Sequence, residues 1–134
     1  MILLPDDLRA RLTANGAAEI ETDHVPVLKL FNPLGAATWI CSELDADGDT
    51  LFGLADLGFG CPELGSFSLS EIASIRLPLG LGIERDLYFR GLFPLSVYVQ
   101  VARTAGRIVE AEDILRAAAQ SDPELPPAGC PGDG

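Results

Sequence analysis

The chain is poor in basic residues and in the residue types that most often carry catalysis or hold metals. It has one lysine, Lys29, one histidine, His24, and three cysteines, none of which forms a CxxC pair. This cysteine pattern argues against a zinc knuckle and against a disulfide framework. A lone histidine also needs a nucleophile or a carboxylate within hydrogen-bond reach to be catalytic, and no sequence pattern supplies one.

Long apolar runs are absent as well. No stretch approaches the roughly 18 consecutive apolar residues that a membrane-spanning helix needs. The N-terminus begins Met-Ile-Leu-Leu-Pro-Asp-Asp and lacks the basic region of a secretory signal peptide. We therefore expect a cytoplasmic protein without a membrane partner.

Acidic residues are abundant. The 134 residues include 20 Asp and Glu against nine Lys and Arg, for a formal net charge of −11. Between residues 30 and 75 there is no Lys or Arg, and the seven carboxylates of that stretch are Glu43, Asp45, Asp47, Asp49, Asp56, Glu63 and Glu71. An acidic surface repels phosphate backbones and attracts basic proteins or cations. We expect a basic protein partner and no direct binding of nucleic acid.

The order of the predicted elements indicates a single small α+β domain over residues 1–120, an antiparallel sheet of about four strands with helices packed on it. Helices are predicted at 5–14, 69–76, 94–105 and 110–120, and strands at 25–31, 37–44, 50–57 and 83–89. Residues 94–105 also alternate like a strand, but apolar residues recur at helical spacing, and the length and ending of the segment favour a helix. Ser68 and Glu71 fit a capping box at the start of the second helix. Asp, Pro and Gly dominate residues 121–134, so that segment is predicted to be a disordered acidic tail.

The central hairpin is the clearest local prediction. Asp47-Gly48 is a strong hairpin turn. With that pair at the turn centre, Leu44 faces Leu51 and Ile40 faces Ala55. Both faces of the hairpin are partly apolar, so we expect each side to be at least partly covered. Trp39 lies in the apolar part of the first strand and is predicted to be a core or interface anchor.

The hairpin also supplies the candidate site. Asp45, Asp47 and Asp49 have the spacing that opens a calcium loop, but Thr50 occupies the position of the sharp-turn glycine and the flanks are strands. A solvated acidic tip is therefore favoured, and we predict no metal, no cofactor and no catalytic residue. The predicted binding residues are Glu43, Asp45, Asp47, Asp49, Asp56 and Glu63.

Other chemical interpretations have weaker support. A thiol–imidazole pair of Cys61 and His24 is one alternative, although Cys61-Pro62 in a glycine-rich turn is more simply a tight bend. Glu43 and Asp56 are a second alternative, as an acid–base pair on the hairpin. The glycines between 53 and 65 match no phosphate-binding loop and are interpreted as turns and bulges.

Several segments occur in the order seen in a known family: residues 24–33, 37–45, 52–65, 68–71, 79–89, 94–96 and 105–108. Together they resemble a proteobacterial family known only as a domain of unknown function, often encoded near plasmid, conjugation or anti-restriction genes. The resemblance covers about residues 24–109 and transfers no catalytic residue. It implies a mobile-element accessory protein. Its motif Gly-Leu-x-Asp-Leu-Gly-x-Gly-x-Pro-Glu-Leu-Gly, at 53–65, is either a binding surface or a demanding set of turns.

These observations favour a non-enzymatic interaction protein whose acidic surface binds a basic host or plasmid protein. On a mobile element it would act as a nucleic-acid mimic or as an inhibitor of host defence. A second hypothesis is a small enzyme or metal-binding module that uses carboxylates of the 45–63 region. A third is a structural module that dimerises through apolar patches.

Overall fold

The domain consists of one antiparallel sheet with helices on both of its faces. The computed structural model describes residues 1–121, so the predicted tail at 121–134 lies, except for Ser121, outside the described residues. A 3₁₀ turn at Pro78–Gly80 precedes the last strand. The elements are α1 (Asp6–Gly16), β1 (Leu28–Phe31), β2 (Thr38–Leu44), β3 (Thr50–Asp56), β4 (Glu63–Ser68), α2 (Leu69–Ala73), β5 (Glu84–Arg85), α3 (Leu95–Ala105) and α4 (Glu112–Gln120).

The sheet has the strand order β4-β3-β2-β1-β5, and every neighbouring pair is antiparallel. The predicted α+β class is therefore confirmed, with five strands among residues 1–121 where about four were expected. The additional strand is β4, which follows the glycine-rich turn at 58–62. Its sequence, Glu-Leu-Gly-Ser-Phe-Ser, has few β-branched residues, so local propensity gave little signal for it. In contrast, β5 has only two residues where a strand over 83–89 was predicted.

The register of the central hairpin matches the prediction at its tip and departs from it further along. Leu44 pairs with Leu51 as expected, but Ile40 pairs with Leu54 and not with Ala55. The pairing shifts between Cys41 and Glu43. A β-bulge, in which one strand carries an extra residue, accounts for this shift. The extra residue at this position is Ser42, which the alternation of side chains alone did not reveal.

Each face of the sheet packs against its own pair of helices, as the apolar content of both hairpin faces predicted. On one face, Trp39, Cys41 and Leu51 pack with Leu12 of α1 and Ile72 of α2. On the other face, the buried residues are Ile40 and Leu54 of the sheet with Leu95, Tyr98, Val99, Val101, Ala102, Val109 and Leu115 of the α3–α4 region. Trp39 is only 6% exposed, which confirms that it is a core residue.

Helix α1 is fastened to the β2–β3 hairpin by side chains of its first and last turns. The Asn15 side-chain amide donates to the Ser42 carbonyl at 3.0 Å, and the Arg9 guanidinium donates to the Gly48 carbonyl at 3.0 Å. A Cβ on Gly16 would lie 2.3 Å from the Leu44 carbonyl oxygen. Glycine is therefore required for this close approach of α1 to the hairpin, which carries most of the candidate carboxylates.

Candidate functional site

Asp47 shapes the hairpin turn with its own side chain. One carboxylate oxygen accepts hydrogen bonds from the backbone N–H of Asp49 at 2.9 Å and of Thr50 at 2.8 Å. The other accepts from the Thr50 hydroxyl at 2.6 Å. These bonds, the Thr50 hydroxyl foremost, hold the pKa of Asp47 below its ordinary value. The carboxylate therefore has a structural use in the turn.

Asp49 joins the same hairpin to α2. Its carboxylate accepts from the Ser68 hydroxyl at 2.6 Å and from the Ser70 backbone N–H at 2.8 Å. The pKa of Asp49 is lowered, first by the Ser68 bond and then by Ser70. The Ser68 hydroxyl in turn accepts from the Glu71 backbone N–H, as the predicted helix cap requires. Asp49 thus satisfies N–H groups at the helix start that would otherwise lack a partner.

Asp56 is buried at the end of β3 and fixes two loops. Its carboxylate accepts from the Gly58 backbone N–H at 2.9 Å and from the Ile108 backbone N–H at 3.1 Å. The second bond ties the sheet to the segment between α3 and α4. Half of the six predicted binding residues, Asp47, Asp49 and Asp56, therefore have carboxylates that are engaged within the fold.

The other three differ in their surroundings. Asp45 and Glu63 are exposed, and Glu43 is half-buried beside the bulge. Within residues 1–121 these three side chains make no hydrogen bond or ion pair. In the same part of the chain, no group of three or more His, Cys, Asp or Glu side chains is placed to hold a metal ion. The structure thus does not gather the six predicted residues into one cluster.

Glu43 instead belongs to a groove that the sequence did not predict. The groove has a volume of about 520 Å³ and lies between the 21–23 segment, the β2–β4 part of the sheet and α3. Its apolar lining is Phe52, Leu64, Leu95 and Val99, and its polar lining is Glu21, Thr22, Asp23, Glu43, Ser96 and Arg103. We refer to these residues as the α3 groove.

The 21–23 wall of the α3 groove is anchored to the start of the helix. The Asp23 carboxylate accepts from the backbone N–H and from the hydroxyl of Ser96, in the first turn of α3. The adjacent His24 carbonyl accepts from the Leu95 backbone N–H at 2.9 Å. A carboxylate at this end is favoured by the helix dipole as well as by the free N–H groups. The wall of the groove is therefore held in place by hydrogen bonds to α3.

The charges in the α3 groove are uneven and unpaired. Glu21, Asp23 and Glu43 contribute three carboxylates, while Arg103 lies in the last turn of α3. Seven residues separate Ser96 from Arg103, a rise of about 10 Å along the helix. None of these four charged side chains forms an ion pair with another residue within the described range 1–121.

The lysine of the chain is neutralised elsewhere. The Lys29 ammonium lies 2.6 Å from Glu110 and 3.4 Å from Asp86, and it also sits 5.9 Å from the centre of the Phe31 ring. Arg116 pairs with Glu112 at 2.6 Å. Lys29 and Arg116 are thus paired with carboxylates outside the α3 groove, so they do not neutralise its acidic lining.

Neither Cys41 nor Cys61, the two cysteines within residues 1–121, provides a nucleophile. Cys41 is fully buried, and burial raises the pKa of its thiol well above the ordinary range. Cys61 is disulfide-bonded, which the sequence did not lead us to expect and which is incompatible with its proposed role as a thiolate beside His24.

The glycine motif at 53–65 has glycines that the backbone geometry requires and an aromatic side chain that is exposed to solvent. A Cβ on Gly53 would lie 2.0 Å from the Ile40 carbonyl oxygen, so the two strands approach too closely for any other residue. Gly58 and Gly60 have φ of 91° and 81°, which favours glycine. Between them, Phe59 is 83% exposed. The motif thus requires glycine at positions 53, 58 and 60 for reasons of backbone geometry, and it also presents an aromatic ring to solvent.

Two further observations bear on the class of protein. Among residues 1–121 no helix combines the length and the apolar character needed to cross a bilayer. No curated protein and no solved structure shows significant similarity to the chain.

A family comparison does give a match, and it is longer than the resemblance seen in the sequence. The family described as "Protein of unknown function (DUF2958)" matches residues 3–109. The match includes α1, which the resemblance over 24–109 had left outside. Inclusion of α1 in the family domain is consistent with its hydrogen bonds to the β2–β3 hairpin. Because the match covers most of the chain, the protein belongs to the DUF2958 family of proteins of unknown function.

Proposed function

We propose that this domain is a non-enzymatic interaction module that binds a basic segment of a partner protein in the α3 groove. One observation carries the proposal. An apolar floor of Phe52, Leu64 and Val99 lies beside carboxylates that no cation of the described chain neutralises. This combination suits a ligand that carries both apolar and cationic side chains.

The two components of the groove would contribute differently. Burial of apolar side chains against the floor would supply most of the binding free energy. Glu21 and Glu43 would accelerate encounter with a basic partner and exclude acidic ones, since charge chiefly sets association rate and specificity. Arg103, about two turns away from Asp23, would fix the orientation of the ligand by favouring an acidic group at that end.

The biological setting forms part of the proposal. The family resemblance supports a mobile-element accessory protein. Its partner would be a host or plasmid protein with a basic surface, such as a nucleic-acid-binding or defence protein. Carboxylates of this domain would then occupy the place of nucleic-acid phosphates, and the domain itself would not bind nucleic acid. The negative charge of Asp45 and Glu63 outside the groove would add to the attraction.

The alternative functions have less support. For an enzyme or metal module built on the 45–63 carboxylates, Asp47, Asp49 and Asp56 would have to leave the hydrogen bonds that they make within the fold. For a dimer, the net charge of −11 would oppose the approach of two copies. We therefore propose neither an enzyme or metal-binding module nor a dimerisation module.

The test uses a labelled synthetic peptide of alternating lysine and valine, titrated with the full chain by fluorescence anisotropy. We expect saturable binding that weakens as salt is added. The double variant Glu21→Gln/Glu43→Gln should bind roughly five- to tenfold more weakly at low ionic strength, the effect of losing two ion pairs.

The matched control removes the same charge elsewhere. Glu71→Gln/Glu84→Gln lowers the net negative charge equally, but Glu71 is on α2 and Glu84 is on β5, at the far edge of the sheet from β4. Equal weakening in both double variants would show a diffuse charge effect and would overturn the assignment of binding to the groove. A circular dichroism melt of each variant checks that folding is retained.

A further inference from the structure

Strand β4 is an edge of the sheet, and within residues 1–121 no strand pairs with its outer side. The register shows which backbone groups are directed outward. The Leu69 backbone N–H donates to the Asp49 carbonyl at 2.9 Å, in line with the pairs Thr50–Ser68 and Leu51–Phe67. Hydrogen-bonded positions alternate along an antiparallel pair.

It follows that residues 63, 65 and 67 of β4 direct their backbone groups toward β3. Leu64 and Ser66 direct their N–H and C=O groups away from the sheet. These groups form a short row of donors and acceptors to which another strand can pair.

This edge lacks the usual protection against pairing. Edge strands of folded proteins are commonly blunted by lysine, by proline or by a bulge. Glu63–Ser68 contains no lysine and no proline, and its register with β3 is uninterrupted over all six residues. The edge is therefore regular enough to accept a strand along its length.

The same strand contributes to the α3 groove. Leu64 is 42% exposed and lines the groove. Leu64 pairs with Leu54, and Ser66 pairs with Phe52, whose side chains pack on the α3 side of the sheet. Because side chains alternate along a strand, Leu64 and Ser66 share that face. Alternate side chains of a strand added to β4 would consequently lie on the groove side.

We propose that the partner segment binds as an extended basic strand that adds to the outer edge of β4 and places alternate side chains in the α3 groove. This inference rests on the proposed function and specifies its mode of recognition. Main-chain hydrogen bonds to Leu64 and Ser66 supply affinity, and the groove selects the side chains. Charge complementarity selects the occupant, since Glu63 on the strand and Glu21 and Glu43 in the groove attract lysine or arginine.

A second copy of this chain is an occupant that fits the charges poorly. A second copy of this chain would bring a net charge of −11 against an acidic edge. A basic strand from a different protein is the occupant that the edge and the groove both favour.

The experiment uses the alternating lysine–valine peptide in three forms: unmodified, N-methylated at the valine amides, and N-methylated at the lysine amides. In an added strand only one alternate set of amides faces β4. We expect one methylated peptide to bind at least about tenfold more weakly, as the loss of two or more hydrogen bonds implies, and the other to bind within about twofold of the unmodified form. In the full chain, amide hydrogen exchange at Leu64 and Ser66 should slow when the unmodified peptide is bound.

Each other result has a defined meaning. Equal effects of the two methylated peptides, with binding still sensitive to Glu21→Gln/Glu43→Gln, would refute strand addition and leave the groove proposal standing. No binding of any of the three peptides at low ionic strength would refute both. Protection of Leu64 and Ser66 that rises with protein concentration alone would identify a second copy as the occupant and overturn the proposal of a basic partner strand.

Discussion

The Asp49 carboxylate reaches from the β2–β3 hairpin to α2, where it accepts a hydrogen bond from the Ser70 backbone N–H at 2.8 Å. The two residues are 21 positions apart in the chain. This bond gives a charged side chain at the hairpin tip a role in starting a helix. The clustering of Asp45, Asp47 and Asp49 therefore has a structural basis for two of its three members.

Removal of this link should weaken the fold. We expect Asp49→Ala to lower the melting temperature by a few degrees, because the first turn of α2 loses a capping acceptor. Asp45→Ala is the matched control, since the Asp45 side chain makes no hydrogen bond within residues 1–121, and it should melt like the unmodified chain. Thermal unfolding followed by circular dichroism measures both. Equal melting temperatures for the two variants would mean that the Asp49–Ser70 bond contributes nothing to stability.

The β2–β3 hairpin should also make the stability of the fold depend on pH. The pKa values of Asp47 and Asp49 are lowered by hydrogen bonds in the folded state. A group with a lowered folded-state pKa stabilises the fold fully above its unfolded pKa, which for Asp is about 3.9, and loses that contribution as the pH falls further. We expect denaturant unfolding to show a loss of stability below about pH 4. In Asp47→Asn/Asp49→Asn the loss should be shallower, and identical pH profiles would contradict this origin.

Trp39 should be among the most costly core positions to truncate. It is 6% exposed and packs with Leu30 and Ile72. Trp39→Ala should lower the free energy of unfolding by roughly 3–5 kcal/mol. Phe59→Ala is the aromatic control, because that ring is 83% exposed, and it should change stability by no more than about 0.5 kcal/mol. Urea titration distinguishes the two, and a Trp39 variant as stable as the Phe59 variant would show that the ring is not anchored.

The glycine motif offers a matched pair of alanine substitutions. Gly53→Ala places a Cβ 2.0 Å from the Ile40 carbonyl oxygen, so the strands must separate and stability should fall by about 2 kcal/mol or more. Gly65→Ala places its Cβ in open space and should fold normally. Expression and urea unfolding of both variants give the comparison. Equal tolerance at the two positions would contradict the close strand approach at Gly53.

The parts of the fold that the sequence predicted are those with local causes. The Asp47-Gly48 turn, the Ser68 cap and the apolar periodicity of α3 depend on residues within a few positions of one another. The bulge at Ser42 depends on α1, because Asn15 donates to the Ser42 carbonyl from 27 positions away. Strand β4 depends on its neighbour β3 more than on its own composition. These tertiary causes leave little trace in the local pattern.

The candidate site was predicted less well for a similar reason. Charge density pointed to the hairpin carboxylates, but it does not distinguish a free carboxylate from one that accepts hydrogen bonds, as Asp56 does. The α3 groove unites Glu21, Glu43 and Arg103, which are spread over more than 80 positions. The one local clue was a run of acids just before the first strand, Glu19, Glu21 and Asp23, and its meaning depends on the docking of Asp23 against Ser96.

Binding in the α3 groove is tested most directly by a map of backbone amide chemical shifts in the full chain as the unmodified lysine–valine peptide is added. Binding in the α3 groove predicts saturable shifts that are largest at Phe52, Leu64 and Val99. Asp45 and Glu71, which are acidic but lie outside the groove, should shift little. Shifts spread over all acidic positions without saturation, or centred on the hairpin tip at Asp45, would contradict the claim that the α3 groove is the binding site.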